Sequence, residues 1–310
     1  MRIIRSLARA RGCFFKPVIT IGNFDGVHRG HQEILRQVCE DAAQRRVAAV
    51  ALTFEPHPIA VLRPEAAPRR LMTLGDRLKA LESYGLDATV VQWFSRRFAA
   101  ISADDFVRGF LVETLDVQKA IVGHDLNFGC DRGGSAESLV EAGATYGFSV
   151  EVVRPVEAEG LVVHSSMVRE AVARGEVELA AKLLGRPHTV RGIVVRGEGR
   201  GADLGFPTAN IRPKTSLPPG NGVYATRALL DGEDFDGVTS IGAKPTFGGT
   251  RTVVETHLFR EQGELYGRNM ALRFIAKIRD QRKFASPEEL VARVARDVEE
   301  ARSVLNATRP

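Results

Sequence analysis

Val18-Ile19-Thr20-Ile21 followed by Gly22-Asn23-Phe24-Asp25-Gly26-Val27-His28-Arg29-Gly30-His31 and then Gln32-Glu33-Ile34-Leu35 is the stretch that decides how this chain reads. Four apolar or β-branched residues make a short buried strand. A glycine-rich turn follows, and helical periodicity begins at about His31. A strand that enters a helix through such a turn presents backbone N–H groups at the positive end of the helix dipole, a ready site for an anion. His28 and His31 are three residues apart, so their rings face one way at the helix start. Two imidazoles there can donate to the charge that builds on an α-phosphate and its leaving pyrophosphate during in-line attack. Gly30 leaves the backbone exposed, Gly22, Asn23 and Phe24 complete the nucleotide- and phosphate-binding turn, and Asp25 supplies an orienting or metal-linked carboxylate.

Outward from this stretch, residues up to about 185 alternate short β-rich runs with helix-length amphipathic segments. Strands are expected at Val18–Ile21, Val47–Phe54, Ala88–Phe94, Lys119–Gly123 and Phe148–Val153, with a first edge strand near Met1. Helices are expected at His31–Arg45, Leu74–Tyr84, Ala103–Leu115 and Ala136–Tyr146, with cap spacing at Thr73/Asp76 and Ser102/Asp105. Near-continuous apolar strands separated by helices imply a doubly wound parallel α/β sheet. Two short helical patterns after Ser165 end at Leu184-Gly185-Arg186-Pro187, a helix stop. From Val190 to about Ile278 the texture is β-rich with Gly, Pro and Asn turns, the signature of a closed antiparallel barrel. Ser286-Pro287-Glu288-Glu289 opens a last helix whose apolar positions are Leu290, Val294, Val298, Ala301 and Leu305. The expected domains are residues 1–186 and 187–310.

The bulk numbers agree. A chain of 310 residues exceeds the ~250–300 at which single cores stop growing. No apolar run approaches the ~20 residues of a membrane span. The net charge of +5 comes from scattered Lys and Arg without a basic run, which suits phosphorylated small molecules rather than nucleic acid. Cys13, Cys39 and Cys130 form no paired pattern. Together with the lack of a secretory leader, they point to the cytoplasm. Oligomeric state is not readable.

Three further groups admit two readings from residue chemistry alone. Ser165, Ser166 and Arg169 make either a phosphate clamp at a helix start or an ordinary serine cap beside a solvated arginine. In Gly199-Arg200-Gly201-Ala202-Asp203-Leu204-Gly205-Phe206-Pro207-Thr208-Ala209-Asn210, Thr208 and Asn210 offer hard oxygens for Mg²⁺, and the glycines allow close approach of ATP. The other reading is a Gly/Pro-rich barrel corner. Glu255, in Val253-Val254-Glu255-Thr256, is either a base for a phosphoryl acceptor or a solvent-facing strand residue.

The Gly22–His31 string resembles the nucleotidyltransferase superfamily, and its full length is similar to the bacterial bifunctional riboflavin kinase/FAD synthetases. Thr53-Phe54-Glu55-Pro56-His57-Pro58 and Gly123-His124-Asp125-Leu126-Asn127-Phe128-Gly129 follow the same family, with Leu126 in place of an aromatic residue. So does His164-Ser165-Ser166-Met167-Val168-Arg169, where His164 stands for a serine and Ser166 for a threonine. The barrel half resembles riboflavin kinase through Gly205-Phe206-Pro207-Thr208-Ala209-Asn210 and a run of later landmarks: Gly222-Val223-Tyr224, Ser240–Gly248, Glu255-Thr256-His257-Leu258 and Ile278-Arg279-Asp280. The resemblance implies that riboflavin is phosphorylated by ATP to FMN, and that FMN is then adenylylated by a second ATP to FAD with release of pyrophosphate. It assigns flavin or nucleotide contacts to Asp125 and Phe128, Mg²⁺ to Thr208 and Asn210, and the base to Glu255. Three rivals stay open: an enzyme with one live site, a catalytically inactive flavin-binding regulator, and a nucleotidyltransferase with another acceptor.

Overall fold

In the computed structural model, every residue is described except 198–200, 202–204, 215–216, 247–248, 261–262 and 310, and the side chains of 244–246 and 249–251. The chain divides into two units. Met1–Pro68 joins Leu74–His164 in the first, and Arg69–Thr73 joins Ser165–Pro310 in the second.

The first unit runs β1 (Arg2–Ile4), β2 (Val18–Ile21), α1 (Arg29–Arg45), β3 (Ala49–Glu55), α2 (Pro58–Leu62), α3 (Leu74–Ser83), β4 (Ala88–Trp93), α4 (Arg96–Ala99) and α5 (Ala103–Phe106). It continues through β5 (Lys119–Gly123), β6 (Asn127–Phe128), β7 (Gly134–Ser135), α6 (Ala136–Tyr146), β8 (Ser149–Val153), β9 (Glu157–Ala158) and β10 (Leu161–Val162). Six strands form one parallel sheet in the order β1-β4-β3-β2-β5-β8. Central strands such as β2 bury every residue, as a sheet covered on both faces requires. Leu35 and Val38 of α1 and Leu139 of α6 supply buried cover. The order reverses between β2 and β5. In open α/β sheets that reversal opens a crevice at the carboxyl ends of the two strands, where ligands bind. The loop carrying His28 leaves β2 there, and the loop carrying Asp125 leaves β5.

The doubly wound sheet expected from the sequence is therefore present, with one helix altered. Ala103–Leu115 is not a single α-helix: α5 ends at Phe106, and Val107–Val112 winds with i→i+5 hydrogen bonds such as Leu115 N to Phe110 O. The wider turn lets Phe106, Val107, Leu111 and Leu115 all bury.

The second unit contains α7 (Ser165–Arg174), α8 (Val177–Leu184), β11 (His188–Val195), β12 (Ala209–Pro213), β13 (Gly222–Leu230), β14 (Glu233–Thr246), β15 (Gly249–Leu258), β16 (Asn269–Arg279) and α9 (Pro287–Ala307). The strands close into an antiparallel barrel in the order β11-β12-β15-β14-β13-β16. Alternation sets its inside: Val190, Val194, Ile211, Tyr224, Ile241, Val254, Leu272 and Phe274 share one core. Three buried hydroxyls join within it, Thr226 to Thr239 at 2.7 Å and Thr239 to Thr256 at 2.9 Å. Helix α9 buries Ala301 and Leu305 against Val223, Ala225 and Val238 on the outside of the barrel.

The expected boundary at 186 and the division found here differ over α7 and α8, which group with the barrel. The cause is local packing. Val177 enters the barrel core, Gly220 N donates to Val172 O at 2.9 Å, and Lys277 N donates to the Glu178 carboxylate at 2.9 Å.

Candidate active sites

The first site grows from the end of β2. Gly22 N donates to Leu52 O, which continues the sheet ladder by one residue. The chain then turns sharply, with Phe24 (φ 50°) and Val27 (φ 41°) in the left-handed region. For a β-branched residue such as Val27 this is a strained conformation. The Phe24 ring folds back over Gly22, where a Cβ would lie 3.1 Å from it. Asp25 is only 4% exposed and His28 only 6%.

His28 caps α1. Its Nδ1 accepts from His31 N at 3.4 Å. The two imidazoles stack with centroids 3.7 Å apart and planes 21° from parallel, and Phe24 meets His31 edge-on at 5.2 Å. Gly30 makes room for this, because a Cβ there would press to 3.3 Å from the His28 ring. Its side-chain deletion serves the histidine rather than simply baring the backbone. The histidines, Asp25 and the turn are thus brought together as the sequence implies. The side-chain oxygen of Asn23 is buried with no hydrogen-bond partner among the described residues.

Arg77 is the residue here that sequence reasoning missed. It lies on α3 beside the buried Leu78 and is itself only 5% exposed. Its guanidinium donates to Asn23 O at 2.7 Å, to Phe54 O at 3.2 Å and to the Glu55 carboxylate at 2.8 Å. Its sequence signal was faint, a charged residue at a core-facing position of an amphipathic helix. His57, in the Pro-His-Pro loop, caps α2 by accepting from Ile59 N at 3.2 Å.

Asp125 is exposed, and its carboxylate stands 3.7 Å from Nδ1 of His164. The unconventional His164 thereby faces the other residue expected to hold substrate. Phe128, the other residue expected at the flavin, packs at the edge of the first unit's core: it is 9% exposed, its ring lies 5.5 Å from that of Phe106, and a Cβ on Gly134 would fall 2.6 Å from it. A groove of about 950 Å³ runs along α1 past Arg29, Gln32, Arg36, Arg154 and Glu157. Its lining omits both histidines, and Arg36 is already paired with Glu33 and Glu40.

Ser165, Ser166 and Arg169 open α7 and belong to the second unit. Arg169 Nε donates to Arg69 O at 3.1 Å.

The barrel site follows from strand register. Asn210 on β12 and Ser240 on β14 both lie directly opposite Glu255 on β15. Their chain neighbours Ala209, Ile211, Val254, Thr256, Thr239 and Ile241 are buried, so Asn210, Ser240 and Glu255 project from the outer face as adjacent cross-strand groups. Thr208 precedes them. Gly201 O accepts from Phe206 N at 2.8 Å, and a Cβ on Gly201 would lie 3.2 Å from Thr208 Oγ1. A Cβ on Gly197 would overlap the Asn210 amide. The Thr208 hydroxyl and the Asn210 amide, the latter nearest through its nitrogen, therefore both lie against the glycine-rich segment. Gly199 lies outside the described residues.

His257 was missed as well. It pairs with the Pro207 carbonyl at 2.9 Å and meets the Phe206 ring edge-on at 5.6 Å, which anchors the segment just before Thr208. Gln281 donates to Ser240 Oγ at 2.7 Å, tying the segment after β16 to the site's edge. The donor set suits Mg²⁺: two neutral hard oxygens with a carboxylate in register, leaving further positions for phosphate oxygens. Among the described residues no cluster of His, Cys, Asp and Glu has the makings of another metal site.

Comparison with known proteins agrees with both halves. Residues 13–167 match the FAD synthetase family and residues 184–305 match riboflavin kinase. The bifunctional riboflavin kinase/FMN adenylyltransferase of Escherichia coli (strain K12) is 39% identical over 316 residues, covering 100% of both chains. Its counterpart from Pseudomonas fluorescens is 40% identical over 305 residues, covering 98% of each. A crystal structure from Streptococcus pneumoniae titled as a macrolide-efflux protein is 30% identical, with a TM-score of 0.88 over 97% of this chain and 98% of that one. Two family matches, each over its own half, and full-length relatives carrying both names leave one conclusion: the chain belongs to the bifunctional riboflavin kinase/FMN adenylyltransferase family and is an enzyme with both activities.

Proposed function

We propose that the two reactions are divided between the two sites residue by residue. In the barrel, Glu255 accepts the proton of riboflavin's terminal hydroxyl as that oxygen attacks the γ-phosphorus of ATP; ADP leaves and FMN forms. Thr208 and Asn210 would hold Mg²⁺ through their side-chain oxygens, where it would neutralise phosphate charge. Gly197 and Gly201 line the path of the ATP phosphates, and the phosphate-binding role expected of Gly199 falls outside the described residues. The observation that carries this reading is the register that sets Asn210 directly beside Glu255.

In the first unit, a phosphate oxygen of FMN attacks the α-phosphorus of a second ATP. The Pα–O bond to the β-phosphate breaks, and pyrophosphate leaves. His28 and His31 donate to the charge that develops, backed by the N-terminus of α1. Gly22, Asn23, Phe24 and Gly30 form the cradle, and the Asn23 side-chain oxygen offers an acceptor to the nucleotide. Asp25 orients from its buried position. Asp125 with His164, together with Phe128, contacts the flavin or nucleotide; Ser165, Ser166 and Arg169, which open α7 in the second unit, are further phosphate-binding residues. The support here is the capped and stacked His28–His31 pair at the sheet's switch point.

The soluble partners are riboflavin, FMN, FAD and ATP, and the place of work is the cytoplasm. Among the described residues no helix is long and apolar enough to cross a membrane. The test is chromatography of flavins after incubation with riboflavin, ATP and Mg²⁺. His28→Ala is expected to stop at FMN. Glu255→Gln is expected to make no FMN and still to convert added FMN to FAD. Loss of both reactions in a folded variant would refute the division.

A further inference from the structure

We propose that Arg77 is a positioning residue for adenylyl transfer, holding the strained turn that presents His28 and His31; this rests on the role given above to those histidines. A guanidinium with almost no exposure is an expensive group to keep in a core. A well-packed apolar residue of similar volume commonly stabilises as well or better. Its position explains its presence. One arm donates to Asn23 O, and the other reaches Phe54 O and the Glu55 carboxylate, so a single planar fork joins the chain leaving β2 to the end of β3. Thr53 Oγ1 also donates to Asn23 O, at 3.3 Å.

The Asn23 carbonyl belongs to the peptide that enters Phe24, the first left-handed residue of the turn. Past it, Val27 N donates to Phe24 O at 3.2 Å, and Gln32 Nε2 donates to Val27 O at 2.8 Å. The turn is thus pinned at its entry by Arg77 and at its exit by α1. Residues in sparsely populated conformations persist only when their surroundings over-determine them. His28 follows Val27 directly, so rotation at the entry peptide would carry the cap and the stacked rings with it. Arg77 donates to backbone carbonyls and a carboxylate of its own unit and acts through the turn.

The chain carries its own control, because riboflavin kinase activity resides in the other unit. Steady-state kinetics of FMN adenylylation and of riboflavin phosphorylation are measured on full-length wild type, Arg77→Met, Arg77→Lys and His28→Ala. Misplacing a catalytic group by about 1 Å costs on the order of 10²-fold in rate. Arg77→Met is therefore expected to lose kcat for FAD formation on that order, with KM for FMN and ATP within about threefold and the kinase unchanged. Arg77→Lys keeps the charge but cannot span the same three acceptors. It is expected to fold and to recover part of kcat, and it carries the test alone if Arg77→Met fails to fold. Wild-type kcat in Arg77→Lys and Arg77→Met, or a change confined to KM, would overturn the proposal. An active His28→Ala would instead refute the histidine assignment, whatever Arg77 does.

Discussion

Gly197 lies against the Asn210 amide so closely that a single methyl group would displace it. Gly197→Ala should therefore lower kcat/KM for riboflavin phosphorylation by roughly ten- to a hundredfold. Conversion of FMN to FAD should stay at the wild-type rate, and a coupled ADP assay reads the first quantity directly. His257→Ala acts one step further out by freeing the Phe206–Pro207 anchor. It should raise KM for ATP while the barrel's melting temperature holds. At this scale the sequence showed residues whose function depends on near neighbours, such as His28 and His31 three positions apart on one helix start. It did not show Arg77, Gly197 or His257. Their partners lie 54, 13 and 50 positions away, and only the folded register brings them together.

Elements are joined by a few buried ion pairs with defined consequences. Lys119 on β5 bridges Asp41 on α1 and Glu151 on β8. Burial alone would push the Asp41 carboxyl up, but hydrogen bonds from Lys119 and Arg45 outweigh it and hold the group below its usual range. A depressed carboxyl pKa adds stability above the unfolded value of about 3.9, and that stability is lost as pH falls through the folded value. The gap in urea midpoint between wild type and Asp41→Asn should thus be widest near neutrality and close below about pH 4. In the barrel, buried Asp297 on α9 accepts from Nε and Nη2 of Arg279 on β16 and also faces Arg293. Asp297→Ala leaves Arg279 without its carboxylate, while Arg293 keeps Glu300, and should destabilise the barrel by roughly 3 kcal/mol, measured by denaturant unfolding. Helices and strands with regular periodicity were legible almost to the residue, Val18–Ile21 and Ala136–Tyr146 among them. The break after Phe106 was not, because a helical pattern of apolar residues fits both windings until the aromatic cluster of Phe98, Phe106, Phe110 and Phe128 selects the wider one.

At the scale of the molecule, two cores serve two chemistries. The intact landmarks of both halves and the full-length relatives remove the ground for a single-activity enzyme or a regulator. Thr208 is exposed and Glu255 sits on the outer face of the barrel, so the proposed kinase site opens to solvent and its FMN would be free to leave. Mixing His28→Ala with Glu255→Gln should restore FAD formation from riboflavin, although neither variant makes it alone. A mixture that stops at FMN would mean that the intermediate never exchanges. The only tryptophan, Trp93, belongs to the first unit and is 67% exposed. Its emission should follow that unit's unfolding, and tyrosine absorbance with contributions from Tyr224 and Tyr266 should follow the barrel's. The change of texture near 186 told where one kind of structure ends and another begins. It could not tell that α7 and α8 would be claimed by the barrel, since that depends on Val177 finding the barrel core.

The closed barrel has a consequence for how such a chain can arise and change. A sheet whose last strand pairs with its first leaves no row of backbone donors and acceptors for a neighbour to complete. A gene segment encoding it can be joined to, or severed from, another coding segment without orphaning any strand. Fusion of two successive biosynthetic steps into one polypeptide then leaves the barrel's own ladder of hydrogen bonds intact, and what ties it to the earlier part of the chain is the short segment Arg69–Thr73.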